Sequence, residues 1–299
     1  MHNDSHSLKI AAVQMNSQQD IEANLVTIKA AIDDASSKGA QLIVLPENCC
    51  SMGRQTETAE RFEALSAVLA DYAKTYGVYL LAGSLPCPYR PDGVIVPDGR
   101  LRQVSQLFAP DATQVARYDK IHLFTATVAD KQGSYNEAAT FEPGTQTVVA
   151  AIEAKDVIYQ LGMMVCFDLR FPALAQRLRQ AGADMLSAPS AFTYMTGQAH
   201  WSLLLQARAL DSQCMVIGAA QGGNHHYKGG KVRQTWGHTA ITDFSGNLID
   251  RYGHSSLGHE PLAAGNNTDN YALVWGTLDR QAQQQGREKM PIFQCHRLA

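Results

Sequence analysis

The chain has 299 residues, 45% of them hydrophobic and 18% charged, with a formal net charge of -3. That is the balance of an ordinary globular protein, and it gives no reason to expect nucleic acid or an acidic membrane surface as partner. No apolar run approaches the length of a membrane span, and the polar start, residues 1–7, does not read as a secretory signal.

The first strand is predicted over Leu8 to Met15. Asp20 then caps a helix whose apolar positions Ile21, Leu25, Ile28 and Ile32 recur at helical spacing, with Gly39 as its stop. Gln41 to Leu45 is a second buried strand running into Pro46, Glu47 and Asn48. A second amphipathic helix covers Ala59 to Tyr76, with Phe62, Leu65, Leu69 and Tyr72 inward and Gly77 closing it. Val78 to Gly83 is the next strand. Pro86 to Gly99 reads as a loop or hairpin, followed by a strand at Val104 to Phe108. Tyr118 to Phe124 leads into a long polar connection through Gly144.

Strands at Thr147 to Ile152 and Val157 to Val165 come next. The second is rich in β-branched and other apolar residues, as in a strand buried on both faces. Phe171 and Pro172 open a helix that stops at Gly182. Asp184 to Ala188 is a strand, Pro189 to Gly197 a loop and His200 to Asp211 a helix. Strands at Cys214 to Gln221, His238 to Asp243, Leu248 to Tyr252 and Tyr271 to Leu278 precede a basic tail helix and an exposed segment, Pro291 to Ala299. The order β-α-β-α-β, with strand pairs in the middle and at the end, makes an α/β chain whose sheets are covered by helices. No linker rich in Pro, Gly or Ser divides residues 1–299, so one domain is expected.

The six cysteines, at 49, 50, 87, 166, 214 and 295, form no C-x-x-C pair and read as reduced thiols of a cytoplasmic protein. The ten histidines make no metal-ligand spacing. His2 and His6 flank a frayed terminus, and His225 and His226 sit in a Gly-rich loop; both pairs are expected on the solvated surface.

Three reactive or charged residues stand where apolar strands end, the place where open α/β sheets bind ligands. They are Glu47, Lys120 and Cys166. Cys166 lies on a strand-to-helix turn, where a sharp bend holds a nucleophile out of the sheet. Backbone N–H groups there face a developing oxyanion, and a nearby helix start would favour the thiolate. Taken singly, Cys166 could equally be a buried structural thiol, Glu47 a surface or capping residue, and Lys120 a solvated charge.

Taken together, Pro46-Glu47, Tyr118-Asp-Lys-Ile-His-Leu-Phe124 and Val165-Cys-Phe-Asp-Leu-Arg-Phe-Pro172 resemble the Glu, Lys and Cys motifs of the carbon–nitrogen hydrolases of the nitrilase superfamily. The resemblance runs from Ala11 to Gln294. It includes Pro189 to Phe192, Gly197 to Trp201, Ala220 to Gly222 and Gly237-His238, and is greatest to the amidases of the "Nit" branch. It implies an α-β-β-α sandwich, two central sheets covered by helices, in a homodimer or higher homo-oligomer. It also implies no metal and no organic cofactor. Cys166 would attack an amide and form a thioester, with Glu47 as general base. Lys120 and the backbone N–H of Phe167 would hold the oxyanion. Glu137, ahead of Pro143-Gly144, would orient substrate and Lys120, with Glu142 the second choice.

The amidases of this branch act on small amides that carry a carboxylate. Arg170, four residues beyond the nucleophile, has the planar fork suited to such a group, unless it pairs with Asp168. The resemblance puts Phe192 and Thr196 near the same substrate end, although Phe192 could equally be core. A nitrile substrate fits the whole-chain resemblance less well, and a catalytically inactive binding scaffold is the non-enzyme alternative. The chain departs from the branch at Ala173, where Glu is usual, at Gln206, where Arg is common, and at Leu210, where Ile is common. Its segment Lys228 to Gln234 is unusually basic.

Overall fold

The computed structural model describes residues 7–128, 133–253 and 270–297; the expectation for His2 and His6 lies outside them. The first half runs β1 (Ser7–Met15), α1 (Ile21–Ser37), β2 (Leu42–Val44), α2 (Gln55–Glu60), α3 (Phe62–Tyr76), β3 (Tyr79–Leu81), β4 (Leu85–Cys87), β5 (Arg102–Phe108) and β6 (Gln114–Asp119). A hairpin of β7 (Thr125–Thr127) and β8 (Ser134–Asn136) leads to β9 (Val149–Ala154), β10 (Val157–Gly162), α4 (Pro172–Gln180) and β11 (Met185–Ser187). Then follow α5 (Tyr194–Ser212), β12 (Met215–Gly218), β13 (Gly222–His226), β14 (Val232–Trp236), β15 (Ala240–Thr242) and β16 (Leu248–Arg251). The last elements are β17 (Tyr271–Asp279), α6 (Arg280–Lys289) and α7 (Ile292–Cys295).

One sheet has the order β17-β1-β2-β3-β5-β4 with β6 on β5, and the other the order β16-β15-β12-β11-β10-β9. Their centres are parallel: β1, β2 and β3 in one, β10, β11 and β12 in the other. Side chains alternate along a strand, and β1 uses both faces. Leu8, Ile10 and Ala12 enter a core shared with Ile152, Leu161 and Ile217 of the second sheet. Ala11, Val13 and Met15 pack instead with Ile28 and Ile32 of α1 and Leu65 and Leu69 of α3. Leu178 of α4 and Trp201 and Leu205 of α5 complete the shared core from the far side. The layers are therefore α-β-β-α. Each fully buried Leu, Ile, Val or Met among them contributes about 1.5–3 kcal/mol relative to exposure.

The helix ends follow local chemistry. Asp20 Oδ1 accepts the Ala23 N–H at 3.1 Å, and Gly77 stops α3 with φ of 64°.

Four expectations change. The helix expected from Ala59 to Tyr76 is broken at Arg61 into α2 and α3. Helix α5 begins at Tyr194 rather than His200. The long connection before Gly144 contains the β7–β8 hairpin and a 3-10 turn over Glu137–Ala139. The Gly-rich loop is in fact β13, paired antiparallel with β14. The pleat turns His225 inward, where it is 1% exposed, while His226 faces solvent. The His225 ring lies 2.7 Å from both the Ser17 carbonyl and the Thr235 hydroxyl. Its ring nitrogens are thus satisfied inside the protein, and burial holds its pKa down to about 4.

Candidate active site

Each strand delivers its residue through a tight backbone contact. Beyond β2, the Leu45 N–H donates to the Leu81 carbonyl at 3.0 Å. The Pro46 carbonyl lies against Gly83, whose φ is +53° and where a Cβ would stand 1.9 Å from that oxygen. Only glycine fits there. Glu47 is held next, its carbonyl accepting the Gln221 side-chain amide at 3.1 Å.

Lys120 follows β6, its N–H donating to the Gln103 carbonyl and its own carbonyl accepting the Gly144 N–H at 2.8 Å. A Cβ at Gly144 would lie 2.0 Å from the Asp119 carbonyl oxygen. The Pro143-Gly144 pair thus closes directly on the Lys120 backbone. Glu137 is tied to Phe124 twice, its N–H donating to the Phe124 carbonyl at 2.9 Å and its Oε2 accepting the Phe124 N–H at 2.7 Å.

These placements bring three side chains together. Lys120 Nζ, 1% exposed as a residue, donates to Glu47 Oε1 at 2.9 Å and to Glu137 Oε2 and Oε1 at 2.9 and 3.1 Å. Burial alone would lower the lysine pKa, but the Glu137 and then the Glu47 carboxylates outweigh it and hold it well above the ordinary value. The ammonium stays charged.

Cys166 lies close enough to this cluster for its thiol to feel the charges of Glu47, Lys120 and Glu137. Its φ of 51° is in the left-handed region, a conformation that costs a non-glycine residue about 1–3 kcal/mol. The bend is held by the Cys166 N–H donating to the Pro189 carbonyl at 2.9 Å. A second hold is the Val165 N–H, which donates to Asp168 Oδ2 at 2.9 Å. The thiolate expectation is not met. The turn after Cys166 is a 3-10 turn, and α4 starts only at Pro172. Burial and then the Glu47 carboxylate push the thiol well above its ordinary pKa, against the pull of Lys120. These surroundings favour the neutral thiol over the thiolate.

Asp168 was absent from the residues expected to matter, yet it joins the pieces. Its carboxylate is fully buried and accepts the Tyr118 hydroxyl at 2.7 Å, the His122 N–H at 3.1 Å and the Val165 N–H. The His122 ring lies 2.7 Å away and stacks on Phe171. An acidic residue two positions after Cys166, directly following the apolar stretch Leu161 to Phe167, was the available signal.

Cys166 opens into a narrow pocket of about 20 Å³ lined by Phe124, Phe167, Arg170, Ala191, Phe192 and Thr196. An outer cleft of about 450 Å³ adjoins it, sharing Phe124, Phe167, Arg170 and Thr196 and adding His200. Arg170 does not pair with Asp168. Its guanidinium lies over the rings of Phe192 and Phe167, 5.4 and 5.8 Å from their centroids, and 3.3 Å from the His200 ring. Phe192 belongs both to the pocket and to the core, meeting Trp201 edge-on at 5.1 Å. The Thr196 hydroxyl is 2.8 Å from that of Thr193.

Glu142 lies elsewhere. It bonds Arg90 and Arg102 at 2.6 and 2.8 Å, and the Arg90 and then the Arg102 guanidinium hold its pKa down to about 2. Among the described residues, no group of three or more His, Cys, Asp or Glu side chains converges to hold a metal.

Two facing sheets under helices, with a strained thiol in the electrostatic reach of a buried ammonium held by two carboxylates, describe the class of nitrilase-type hydrolases. The carbon–nitrogen hydrolase model matches residues 9–281, and the chain belongs to that family. The deaminated glutathione amidase of Yersinia enterocolitica is 34% identical over 293 residues, spanning 96% of this chain and 92% of its own length. An omega-amidase of Pongo abelii is 29% identical over 296 residues, 97% of this chain and 95% of its own. Among solved structures, the C. elegans NitFhit protein matches with a TM-score of 0.79 at 28% identity, over 98% of this chain but 65% of that longer one. A Nesterenkonia amidase shares the fold at a TM-score of 0.72 and 23% identity, over 95% of each chain. That enzyme was captured with an acetamide moiety on its active-site cysteine.

Proposed function

We propose that this chain is a cysteine-dependent amidase that hydrolyses deaminated glutathione to 2-oxoglutarate and cysteinylglycine. The observation that carries the chemistry is the buried Lys120 ammonium held 2.9 Å from both Glu47 and Glu137. The substrate comes from the relatives, and the outer cleft beside the narrow pocket gives room for a peptide leaving group.

Glu47 takes the thiol proton as Cys166 Sγ attacks the amide carbonyl carbon. The displaced electron pair becomes an oxyanion held by Lys120 Nζ and the Phe167 N–H; losing one such donor costs about a hundredfold to a thousandfold in turnover. The C–N bond then breaks, the proton on Glu47 passes to the departing nitrogen, and cysteinylglycine leaves a thioester on Cys166. Water gives a proton to Glu47 and attacks the thioester carbon. The second tetrahedral species expels the sulfur, which takes that proton back as 2-oxoglutarate departs. Glu137 keeps Lys120 aimed at the oxyanion, and Arg170, Phe192 and Thr196 receive the carboxylate-bearing end. Neither a metal nor an organic cofactor enters any of these steps.

The second reading is an ω-amidase acting on 2-oxoglutaramate, favoured by the Pongo abelii relative and the narrowness of the inner pocket. Purified protein is given both substrates side by side, following 2-oxoglutarate, cysteinylglycine and ammonia. Deaminated glutathione is expected to win by orders of magnitude in kcat/KM. A preference for 2-oxoglutaramate replaces the first reading by the second.

We further take residues 1–299 as a single hydrolase domain working as a homodimer in the cytoplasm. Helix α5 supports the dimer by leaving Leu203 and Leu210 66% and 54% exposed. The adjacent buried thiols of Cys49 and Cys50 suit a reducing compartment.

A further inference from the structure

The short hairpin beside the Cys166 pocket leaves one strand edge open. Strand β7 pairs antiparallel with β8 and, among the described residues, with no other strand. Along an antiparallel strand, residues alternately turn their N–H and C=O groups toward the partner and away from it. Here the phase is set at both ends. The Phe124 carbonyl accepts the Glu137 N–H at 2.9 Å, and the Val128 N–H donates to the Gly133 carbonyl at 2.7 Å. Phe124, Ala126 and Val128 therefore address β8. Thr125 and Thr127, both exposed, turn their N–H and C=O groups outward.

That edge borders the outer cleft. The cleft lining takes residues 124–128 in unbroken sequence, with Phe167 and Arg170 of the Cys166 turn and Thr196 of α5. A cleft lying over one face of a strand meets every second residue, because side chains alternate. An unbroken run is what a strand shows edge-on.

A row of unpaired N–H and C=O groups is a template for an extended peptide. The narrow pocket at Cys166 is about 20 Å³ and the adjoining cleft about 450 Å³, and they share Phe124, Phe167, Arg170 and Thr196. An amide whose acyl group reaches Cys166 thus has room for its leaving side only in the cleft, beside β7.

We propose that the open edge of β7 is a strand-addition site that takes a peptide on the leaving side of the substrate amide, pairing with it through Thr125 and Thr127. The inference rests on the amidase reading in placing the scissile amide at Cys166. It extends that reading by giving the leaving group a main-chain recognition site, which selects an extended peptide over ammonia.

The test uses the full chain as Cys166→Ala, which holds an amide without cleaving it, and glutaryl-alanylglycine as the probe. Amide hydrogen exchange is followed residue by residue. Saturating probe is expected to slow exchange about tenfold at Thr125, Thr127 or both, the worth of one added hydrogen bond. Ala126, whose N–H already faces β8, should show no comparable change. Protection spread evenly along β7, or none at all, overturns the proposal.

Proline at the protected position then removes the outward N–H and leaves the β8 ladder whole. It is expected to weaken probe binding about tenfold relative to alanine at the same position, which keeps the N–H. Equal affinities overturn the proposal; should the proline variant fail to fold, the exchange pattern of the unsubstituted edge decides. Alternating protection in a chain that, with Cys166 intact, leaves deaminated glutathione whole sinks only the substrate named above. Hydrolysis of deaminated glutathione without that protection removes the β7 site and leaves the amidase reading standing.

Discussion

The Asp168 carboxylate accepts the Tyr118 hydroxyl at 2.7 Å in the core, so the Cys166 turn and the strand that delivers Lys120 are fastened to each other. The same carboxylate takes the Val165 N–H on one side and the His122 N–H on the other. Asp168→Asn turns an amide NH2 toward these donors. It is expected to lower kcat about a hundredfold, the usual effect of displacing a reacting group by about an ångström. Melting should fall as well, since each buried donor left unsatisfied costs about 1–3 kcal/mol. Steady-state rates and thermal melts of the purified variant check both; wild-type kcat would contradict the role.

Lys120 compensates two carboxylates at once. Lys120→Met removes the proposed oxyanion donor and leaves Glu47 and Glu137 without their shared cation, so turnover should fall about a hundredfold or more. Glu137→Gln keeps the shape and loses one charged contact, with an expected loss of about tenfold. Because burial and Glu47 raise the thiol and the two carboxylates raise the ammonium, kcat/KM should show no ionisation near the ordinary thiol value of about 8.5. A pH–rate profile measured through that range decides.

His225 makes stability pH-dependent. Its folded pKa of about 4 is depressed by burial below the ordinary 6.5. Between those values the unfolded chain binds the extra proton, so stability is full above 6.5 and is lost as pH falls towards 4. The loss from this residue is on the order of 3 kcal/mol. Denaturant titrations across that window should show the slope in wild type and a shallower one in His225→Gln.

The exposed side chains of α5 predict an oligomer. Light scattering should give twice the chain mass for the wild type. Leu203→Glu with Leu210→Glu, which places charge on that apolar surface, should give the mass of one chain. A monomeric wild-type protein would remove the dimer.

Much of this arrangement is legible in the sequence because its signals are local. Glu47, Lys120 and Cys166 each follow a short apolar strand, and the helical spacing of Ile21, Leu25, Ile28 and Ile32 marks α1 before any contact is known. The alternation of β1 likewise sorts its side chains between two cores. What stays hidden depends on distant partners. His225 looks like loop surface until β13 pairs with β14. Asp168 acquires its role from Tyr118, 50 positions away. The first turn of α5 has no side-chain cap at Thr193 and no apolar period in Thr196-Gly197-Gln198, so its start is set by packing. Gln206 departs from the usual Arg and bonds the Gly246 carbonyl at 2.9 Å, a contact to a turn far along the chain.

The central claim is that Cys166 carries the acyl group. The most direct measurement is the rate of cysteinylglycine release from deaminated glutathione by Cys166→Ala, alongside a thermal melt of the same preparation. The expected result is a wild-type-like melt with turnover at the uncatalysed level. A folded Cys166→Ala protein that retains full turnover would contradict it.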